Sequence, residues 1–189
     1  MPAQKILFLD RDGVINVDSG HPHIIKDIEF VDNIFELCRV ACDLGYQIII
    51  VTNQAGIAKG YYDEKQFFLV MDWMVGEFRK QDIEILDVQF CPHHREGLGK
   101  YKKKCDCRKP EPGMILAASA AHNIDLKNSV IVGDKISDME AGRRAGIETR
   151  ILFKAVNDMK KYEIKGVQTF TTLSDIAKYL ENKSDIKRK

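Results

Sequence analysis

The sequence predicts an α/β fold, a doubly wound and mostly parallel sheet with helices on both faces and without a large cap domain. Three largely apolar runs, Ile6 to Leu9, Gln47 to Val51 and Val130 to Val132, are typical of strands that are buried on both faces. Segments with helical periodicity separate these runs, and this alternation indicates a parallel sheet. No inserted segment is long enough to form a large cap.

The composition limits the classes of protein to consider. With 189 residues, 44% of them hydrophobic and 30% charged, the chain is expected to form a single domain over residues 1–189. The formal net charge of +1 argues against nucleic acid or an anionic membrane as a partner. No apolar stretch could cross a bilayer and no signal peptide is recognisable, so we expect a cytoplasmic protein.

The remaining elements follow in order along the chain. Asp32 is a candidate N-cap for a first helix that ends at Leu44, before Gly45. A second, long helix is expected to begin near Asp63, after a loop with two glycines. Shorter segments complete the pattern: strands at Ile85 to Phe90, Thr149 to Phe153 and Val167 to Phe170, and helices from Pro112 to His122, from a capping box at Ser137 to Glu140 as far as Gly146, and from Leu173 to Glu181. The basic end, Lys183 to Lys189, is expected to be a flexible tail.

Polar residues follow three of the predicted strands at their carboxyl ends. Asp10 and Asp12 come after the first strand, Thr52 and Asn53 after the second, and Asp134 after the fourth. In a parallel sheet these ends meet at one edge, where open α/β sheets bind ligands. Three carboxylates in one crevice repel each other, and Mg²⁺, which prefers oxygen ligands and a substrate phosphate, is the natural counter-ion. The sequence therefore predicts a site for a phosphate ester.

Four motifs at this edge resemble those of the haloacid dehalogenase-like phosphatases. They are Asp10-Arg11-Asp12-Gly13, Thr52-Asn53, Lys109 and Gly133-Asp134. The resemblance implies a Rossmann-like haloacid dehalogenase fold and an aspartyl-phosphate intermediate on Asp10. It implies that Asp12 protonates the leaving alcohol and then takes a proton from water, while Thr52 and Lys109 stabilise charge on the transferring group. Asp10, Asp134 and the main-chain carbonyl of Asp12 would hold Mg²⁺.

A cysteine-rich loop, residues 91–107, separates the third strand from the next helix. Three thiolates and one imidazole in this loop would close a tetrahedral, structural Zn²⁺ site, with the ligands Cys91, His93, Cys105 and Cys107. Two alternatives stay open: the cysteines could be free thiols, and His94 could replace His93 as the ligand. A bound zinc would fix Arg108 and Lys109, which follow the last cysteine directly.

The same loop narrows the resemblance. Cys91-Pro92-His93-His94, Cys105-Asp106-Cys107-Arg108-Lys109-Pro110 and Gly133-Asp134-Lys135 closely resemble the bacterial D-glycero-D-manno-heptose 1,7-bisphosphate 7-phosphatases. This implies removal of the C7 phosphate during the synthesis of lipopolysaccharide core precursors, a monomer, a small phosphorylated sugar as the partner, and His93 rather than His94 as the zinc ligand. Contacts with the substrate are then expected from Asp18, Ser19, Gly20, His21, Thr52, Asn53, Gln54, Ala55, Arg108, Lys109 and Lys135. Arg108 is the expected anchor for the end that is not cleaved.

Two other functions stay open at this level. Histidinol-phosphate phosphatases resemble the chain in both catalytic motifs and zinc loop, although Arg108 and the loop near Asp18 favour a sugar bisphosphate. A non-catalytic, zinc-stabilised binding module would explain the cysteines but would leave Asp10 and Asp134 without a role. Asp138 has more than one interpretation: it could orient Lys109 or metal-bound waters, or favour the helix dipole.

Overall fold

The computed structural model describes residues 3–154 and 164–188 and contains a six-stranded sheet in which every strand pair is parallel. The spatial order of the strands is β3-β2-β1-β4-β5-β6. Their bounds are β1 Ile6–Leu9, β2 Gln47–Asn53, β3 Ile85–Cys91, β4 Val130–Gly133, β5 Thr149–Phe153 and β6 Val167–Phe170. The order reverses between β1 and β4, which is the point where a doubly wound sheet opens a crevice for ligands. The predicted fold class is confirmed.

Helices cover both faces of the sheet. Their bounds are α1 Ile34–Asp43, α2 Ala55–Ala58, α3 Glu64–Arg79, α4 Gly113–His122, α5 Ile136–Ala145 and α6 Leu173–Arg188. One apolar core joins α1, α3 and α6 to one face of the sheet, and a second joins α4 and α5 to the other. The central strand β1 is completely buried because both cores contact it. Within residues 3–154 and 164–188, no helix has the length and apolar character needed to span a membrane.

Two helix starts differ from the sequence prediction. Helix α1 is preceded by Asn33 rather than Asp32 at the N-cap, and Asn33 has a φ of 65° in the left-handed region, which asparagine tolerates better than most residues. Helix α5 begins at Ile136, and the carboxylate of Asp138 accepts a hydrogen bond from the Lys135 N–H at 3.0 Å. The cap therefore lies two residues before the predicted Ser137 box.

Two segments are more helical than expected. The loop predicted after β2 contains the one-turn helix α2, where Gly56 allows close packing because a Cβ there would lie 2.2 Å from the Tyr62 ring. Helix α6 continues to Arg188, through most of the predicted tail, because α6 packs against α1 and the Lys183 amine bonds to the Thr149 hydroxyl. Lys189 lies outside the described residues.

Candidate active site

The ends of β1 and β4 bring Asp10 and Asp134 together. Asp10 directly follows β1, and its N–H donates to the carbonyl of Val132 in β4 at 3.0 Å. Asp134 directly follows β4. Gly13 allows the two loops to approach: it has a φ of +90°, and a Cβ at this position would lie 2.5 Å from Asp134 Oδ2. A glycine is thus required where the turn after β1 passes the second carboxylate.

Three carboxylates form a tight cluster in this crevice. Oxygens of Asp10, Asp134 and Asp138 all lie within 4.8 Å of one another. Burial is the main reason that the pKa of Asp10 rises to about 8; Lys109 lowers this pKa, and Asp138 and Asp134 raise it. Burial likewise raises the pKa of Asp134. The neighbouring lysines therefore do not offset the burial of these carboxylates, and a divalent cation bound by oxygen ligands would supply further positive charge.

One atom of the cluster points specifically to a cation. Asp134 Oδ1 is buried and has no hydrogen-bond partner among the described residues. A buried carboxylate oxygen without a partner is costly, and native proteins almost always satisfy such an atom with a donor, a water or a metal. The oxygen-only ligands and the small number of carboxylates fit Mg²⁺.

Lys109 carries the positive charge at the base of the crevice. Its Nζ lies 2.9 Å from Asp10 Oδ1 and 2.6 Å from Asp138 Oδ1, and it donates to the Val51 carbonyl at 2.7 Å. The residue is only 3% exposed, so these acceptors replace its water. The role of Asp138, which the sequence left open, includes a direct contact with Lys109.

The backbone of Lys109 is fixed as well. Its N–H donates to Asn53 Oδ1 at 3.0 Å, and its carbonyl accepts from Asn53 Nδ2 at 3.1 Å. Asn53 ends β2, so the sheet itself positions the lysine. The two sequence motifs that contain Asn53 and Lys109 are therefore joined by a pair of hydrogen bonds.

Asp12 lies at the same edge, but its carboxylate is directed into a separate network. Oδ1 accepts from Arg11 Nε at 2.9 Å and Asn16 Nδ2 at 3.1 Å, and Oδ2 accepts from Arg11 Nη2 at 2.9 Å and Gln54 Nε2 at 3.1 Å. The cluster with Asp10 and Asp134 thus gains its third carboxylate from Asp138 and not from the side chain of Asp12. The predicted Mg²⁺ ligand at this residue is the main-chain carbonyl, so the hydrogen bonds of the Asp12 side chain do not conflict with that prediction.

An open cleft of about 490 Å³ lies in front of these residues. Its lining contains most of the predicted substrate-binding residues, namely Asp18, Gly20, His21, Asn53, Ala55, Arg108, Lys109 and Lys135, together with Asp10, Asp12, Ser137 and Asp138. Ser19, Thr52 and Gln54 are predicted contacts that do not line it. Thr52 and Gln54 are each 1% exposed, and the Gln54 amide donates to the Thr52 hydroxyl at 2.8 Å. These two side chains support the cleft from behind.

Charged residues at the rim of the cleft are held by their neighbours. Lys135 Nζ lies 3.1 Å from Asp18 Oδ2 and 3.4 Å from Asp134 Oδ2, so it joins the loop after β1 to the carboxylate cluster. Burial would raise the pKa of Asp18, but the Gly20 N–H and Lys135 outweigh it and lower this pKa. Arg108 Nη1 donates to the His93 carbonyl at 3.2 Å. The cleft therefore has cations on two sides.

The cysteine loop brings its four predicted ligands together. The Sγ atoms lie 3.0 Å (Cys107 to Cys91), 3.2 Å (Cys107 to Cys105) and 3.5 Å (Cys91 to Cys105) apart, and His93 Nδ1 lies 3.3 Å from Cys107 Sγ. This is the donor set of a closed, structural zinc site. His94 Nδ1 instead accepts from the Glu96 N–H at 3.1 Å, so His93 is the member of the cluster.

Sequence reasoning missed two residues of the site. Arg11 is the largest fully buried side chain among residues 3–154 and 164–188, and Asn16 is also buried. The burial of Arg11 could have been predicted from its position: it stands between two aspartates directly after a buried strand, where little solvent is expected. No comparable signal marked Asn16.

Comparisons with known proteins agree with this geometry. The HAD-hydrolase-like family profile matches residues 106–176. The D-glycero-β-D-manno-heptose-1,7-bisphosphate 7-phosphatase of Vibrio cholerae is 42% identical over 180 residues, which cover 94% of this chain and 97% of that protein. The chain belongs to the HAD-like phosphatase family. The D-glycero-α-D-manno-heptose-1,7-bisphosphate 7-phosphatase of Campylobacter jejuni is 48% identical over 179 residues, 95% of this chain and 97% of that enzyme.

Solved structures show the same fold. A Mesorhizobium loti protein described as a HAD-like phosphatase has a TM-score of 0.85 and 32% sequence identity, covering 96% of this chain and 88% of that one. The D,D-heptose 1,7-bisphosphate phosphatase from B. bronchiseptica, complexed with magnesium and phosphate, has a TM-score of 0.83 and 24% identity, covering 95% and 99%. The family resemblance predicted from the motifs is confirmed.

Proposed function

We propose that the chain is a Mg²⁺-dependent phosphatase that removes the C7 phosphate of D-glycero-D-manno-heptose 1,7-bisphosphate. The observation that carries this proposal is the convergence of Asp10, Lys109 and the unpartnered oxygen of Asp134 at one edge of the sheet. The names of the Vibrio cholerae and Campylobacter jejuni relatives supply the substrate. Such an enzyme would serve the synthesis of lipopolysaccharide core precursors. A single domain, a monomeric state and a cytoplasmic location stay predictions.

The first half-reaction moves the phosphoryl group to the protein. A carboxylate oxygen of Asp10 attacks phosphorus, and the bond between phosphorus and the C7 oxygen breaks. Asp12 gives its proton to the departing sugar oxygen, so the leaving group is an alcohol rather than an alkoxide. Lys109 Nζ, 2.9 Å from Asp10 Oδ1, holds the nucleophile in place and adds positive charge beside the transferring group.

The second half-reaction restores the enzyme. Water attacks the phosphorus of the aspartyl-phosphate and loses a proton to Asp12, which is now the base. The bond between phosphorus and Asp10 breaks, inorganic phosphate leaves, and both carboxyl groups return to their starting states. One residue can serve both steps because the proton it gives in the first is regained in the second.

Metal ions complete the proposal. Asp10, Asp134 and the Asp12 carbonyl would hold Mg²⁺, with Asp138 close enough to act through a water. Bound Mg²⁺ would neutralise the phosphate that otherwise repels the Asp10 carboxylate. Zn²⁺ at the four-ligand cluster would be structural, since three thiolates and an imidazole leave no open position.

Identity among the relatives favours one anomer of the substrate. Relatives named for the α anomer, from Campylobacter jejuni, Photorhabdus laumondii and Burkholderia mallei, share 48%, 48% and 52% identity with the chain. Relatives named for the β anomer share 39% to 43%. We therefore extend the proposal to a preference for the α anomer.

A phosphate-release assay tests the proposal directly. Both anomers of the heptose bisphosphate and histidinol phosphate are compared with and without Mg²⁺, using the full chain. We expect the highest kcat/KM for the α anomer and loss of activity when Mg²⁺ is chelated. Preference for histidinol phosphate would support the sister activity instead, and no turnover of any phosphate ester would favour the binding module.

A matched pair of variants tests the nucleophile. Asp10→Asn removes the attacking oxygen's charge and is expected to abolish turnover. Asp72→Asn makes the same chemical change on the exposed side of α3, and we expect it to leave activity unchanged. Mg²⁺-dependent turnover retained by Asp10→Asn would contradict the proposed mechanism.

A further inference from the structure

We propose that Arg11 is a positioning residue that sets the acid–base carboxylate and the substrate-facing loop as one unit. The inference rests on the proposed phosphatase function. The loop concerned, residues 18–23, is called the flap here; its members Asp18, Gly20 and His21 line the cleft. No role for Arg11 follows from the motifs that identify the nucleophile, the metal ligands or the zinc site.

The burial of Arg11 requires an explanation. The side chain is fully buried, although a buried guanidinium is costly unless good acceptors replace its water. Both oxygens of Asp12 accept hydrogen bonds from it, in the forked geometry that a guanidinium and a carboxylate share. In addition, the centre of the Phe67 ring lies 5.9 Å from Arg11 Cζ, which is within range of a cation–π contact. Because each carboxylate oxygen accepts its own hydrogen bond, the two bonds fix the orientation of the carboxylate as well as its position.

The same guanidinium also holds the flap. Arg11 Nη2 donates to the carbonyl of Pro22 at 2.9 Å, in addition to its bond with Asp12. Pro22 follows His21, which has a φ of 65° and faces the cleft. One nitrogen therefore touches both the acid–base group and the flap, so neither can shift without a change at the other.

A second path joins the same two parts. Gln54 donates to Asp12 Oδ2 at 3.1 Å and accepts from the hydroxyl of Tyr62. The Tyr62 ring stacks on His23 with the ring centroids 4.8 Å apart and 11° between the planes. His23 Nδ1 lies 2.9 Å from the carbonyl of His21. This path reaches the flap at His23, the residue next to Pro22, and so supports the same end of it.

All the side-chain groups that bond to Asp12 are donors: Arg11 Nε, Arg11 Nη2, Asn16 Nδ2 and Gln54 Nε2. A proton on Asp12 therefore has no acceptor in this network, and the acceptor that the reaction provides is the leaving oxygen of the substrate. Correct placement of Asp12 matters most when that oxygen is a poor leaving group. The alkoxide of an alkyl phosphate needs the proton to leave, whereas p-nitrophenyl phosphate releases p-nitrophenolate, which is stable without it.

The test compares these two leaving groups in Arg11→Lys, which keeps the charge and loses the fork. We expect kcat/KM for the best alkyl phosphate of the substrate screen to fall by about 100-fold or more, the range of acid–base catalysis, and that for p-nitrophenyl phosphate by less than about 10-fold. Arg39→Lys, the same change at an exposed arginine on α1, is the matched control and is expected to change neither. Equal losses for the two substrates would overturn the proposal.

A double-mutant cycle shows whether Arg11 acts through Asp12. If it does, Arg11→Lys lowers kcat/KM for the alkyl substrate little further once Asp12→Asn is already present; fully additive losses would overturn the proposal.

Because substitution of a buried arginine can unfold the chain, Tyr62→Phe provides a second route to the same carboxylate through Gln54. It is expected to lower alkyl turnover selectively and to a smaller extent, and an unchanged or uniform effect in this variant would also refute the coupling. Activity of wild type on the heptose bisphosphate is scored separately, so failure of the substrate assignment leaves this test intact.

Discussion

Gly13→Ala is expected to weaken Mg²⁺ binding by displacing Asp134. Gly13 has a φ of +90°, and an added Cβ would lie 2.5 Å from Asp134 Oδ2 and 2.6 Å from its Cγ. Neither distance is compatible with van der Waals contact, so Asp134 or the turn after β1 must move. Because Asp134 is a proposed Mg²⁺ ligand, its displacement should change metal binding as well as stability.

A second glycine separates the two effects. Gly146 has nearly the same φ, +89°, but a Cβ added there would have no described atom within 4 Å, and this glycine ends α5 away from the cleft. Alanine in this left-handed conformation costs about 1 to 2 kcal/mol at either position, which lowers Tm by roughly 2 to 8 °C in a chain of this size. Gly146→Ala therefore measures the backbone strain alone.

The assay is a Mg²⁺ titration of phosphatase activity together with thermal unfolding of the metal-free protein. For Gly13→Ala we expect the Mg²⁺ concentration at half-maximal activity to rise by about 10- to 100-fold, the usual effect of disturbing the support of a metal ligand. For Gly146→Ala we expect a lower Tm and an unchanged Mg²⁺ dependence. The same Mg²⁺ dependence in both variants would refute the assignment of Asp134 to the metal.

Three further predictions concern other parts of the site and the sheet. Asp138→Asn removes the charge 2.6 Å from Lys109 Nζ, and kcat is expected to fall by about 10- to 100-fold with an unchanged zinc content. Cys107→Ser is expected to reduce bound zinc measured by mass spectrometry, whereas Cys42→Ser, at an exposed cysteine outside the cluster, keeps it; equal zinc contents would contradict the ligand set. Burial alone would raise the pKa of Asp87, but hydrogen bonds from its neighbours hold it below the ordinary value of 3.8. Asp87 therefore adds stability above that value and loses it as the pH falls through the lowered pKa, so the difference in Tm between wild type and Asp87→Asn should shrink in acid.

The catalytic edge could be predicted because it depends on strand ends. Apolar runs end directly at Asp10, Thr52 and Asp134, and parallel strands bring their carboxyl ends to one side whatever the details of packing. The one-turn helix α2 could not be predicted in the same way. It depends on Tyr62 packing over Gly56, a tertiary contact that has no periodicity in the sequence.

The direction of each side chain was beyond the sequence. Asp12 and Asp138 are both aspartates close to a strand end, and the sequence does not show which way either side chain points. In the structure, Asp138 joins the carboxylate cluster while Asp12 is held by Arg11. The difference arises from hydrogen-bond partners that fold in from separate segments. For the same reason Gln54, expected to face the substrate, is buried behind the cleft: its amide joins Asp12 and Thr52.

Zinc is expected to influence substrate binding before it influences the chemical step. Lys109 is fixed from the sheet side, through both Asn53 hydrogen bonds and the Val51 carbonyl, so its ammonium does not depend on the cysteine loop alone. Arg108, by contrast, contacts the loop through the carbonyl of His93, a proposed zinc ligand.

Removal of zinc from the folded enzyme with a thiol-compatible chelator should therefore raise KM for the bisphosphate first, because Arg108 is the proposed anchor for the phosphate that is not cleaved. A monophosphate of the same sugar lacks that phosphate, and its KM should change less. An equal change for both substrates, or a fall in kcat with an unaltered KM, would show that the loop acts on Lys109 instead.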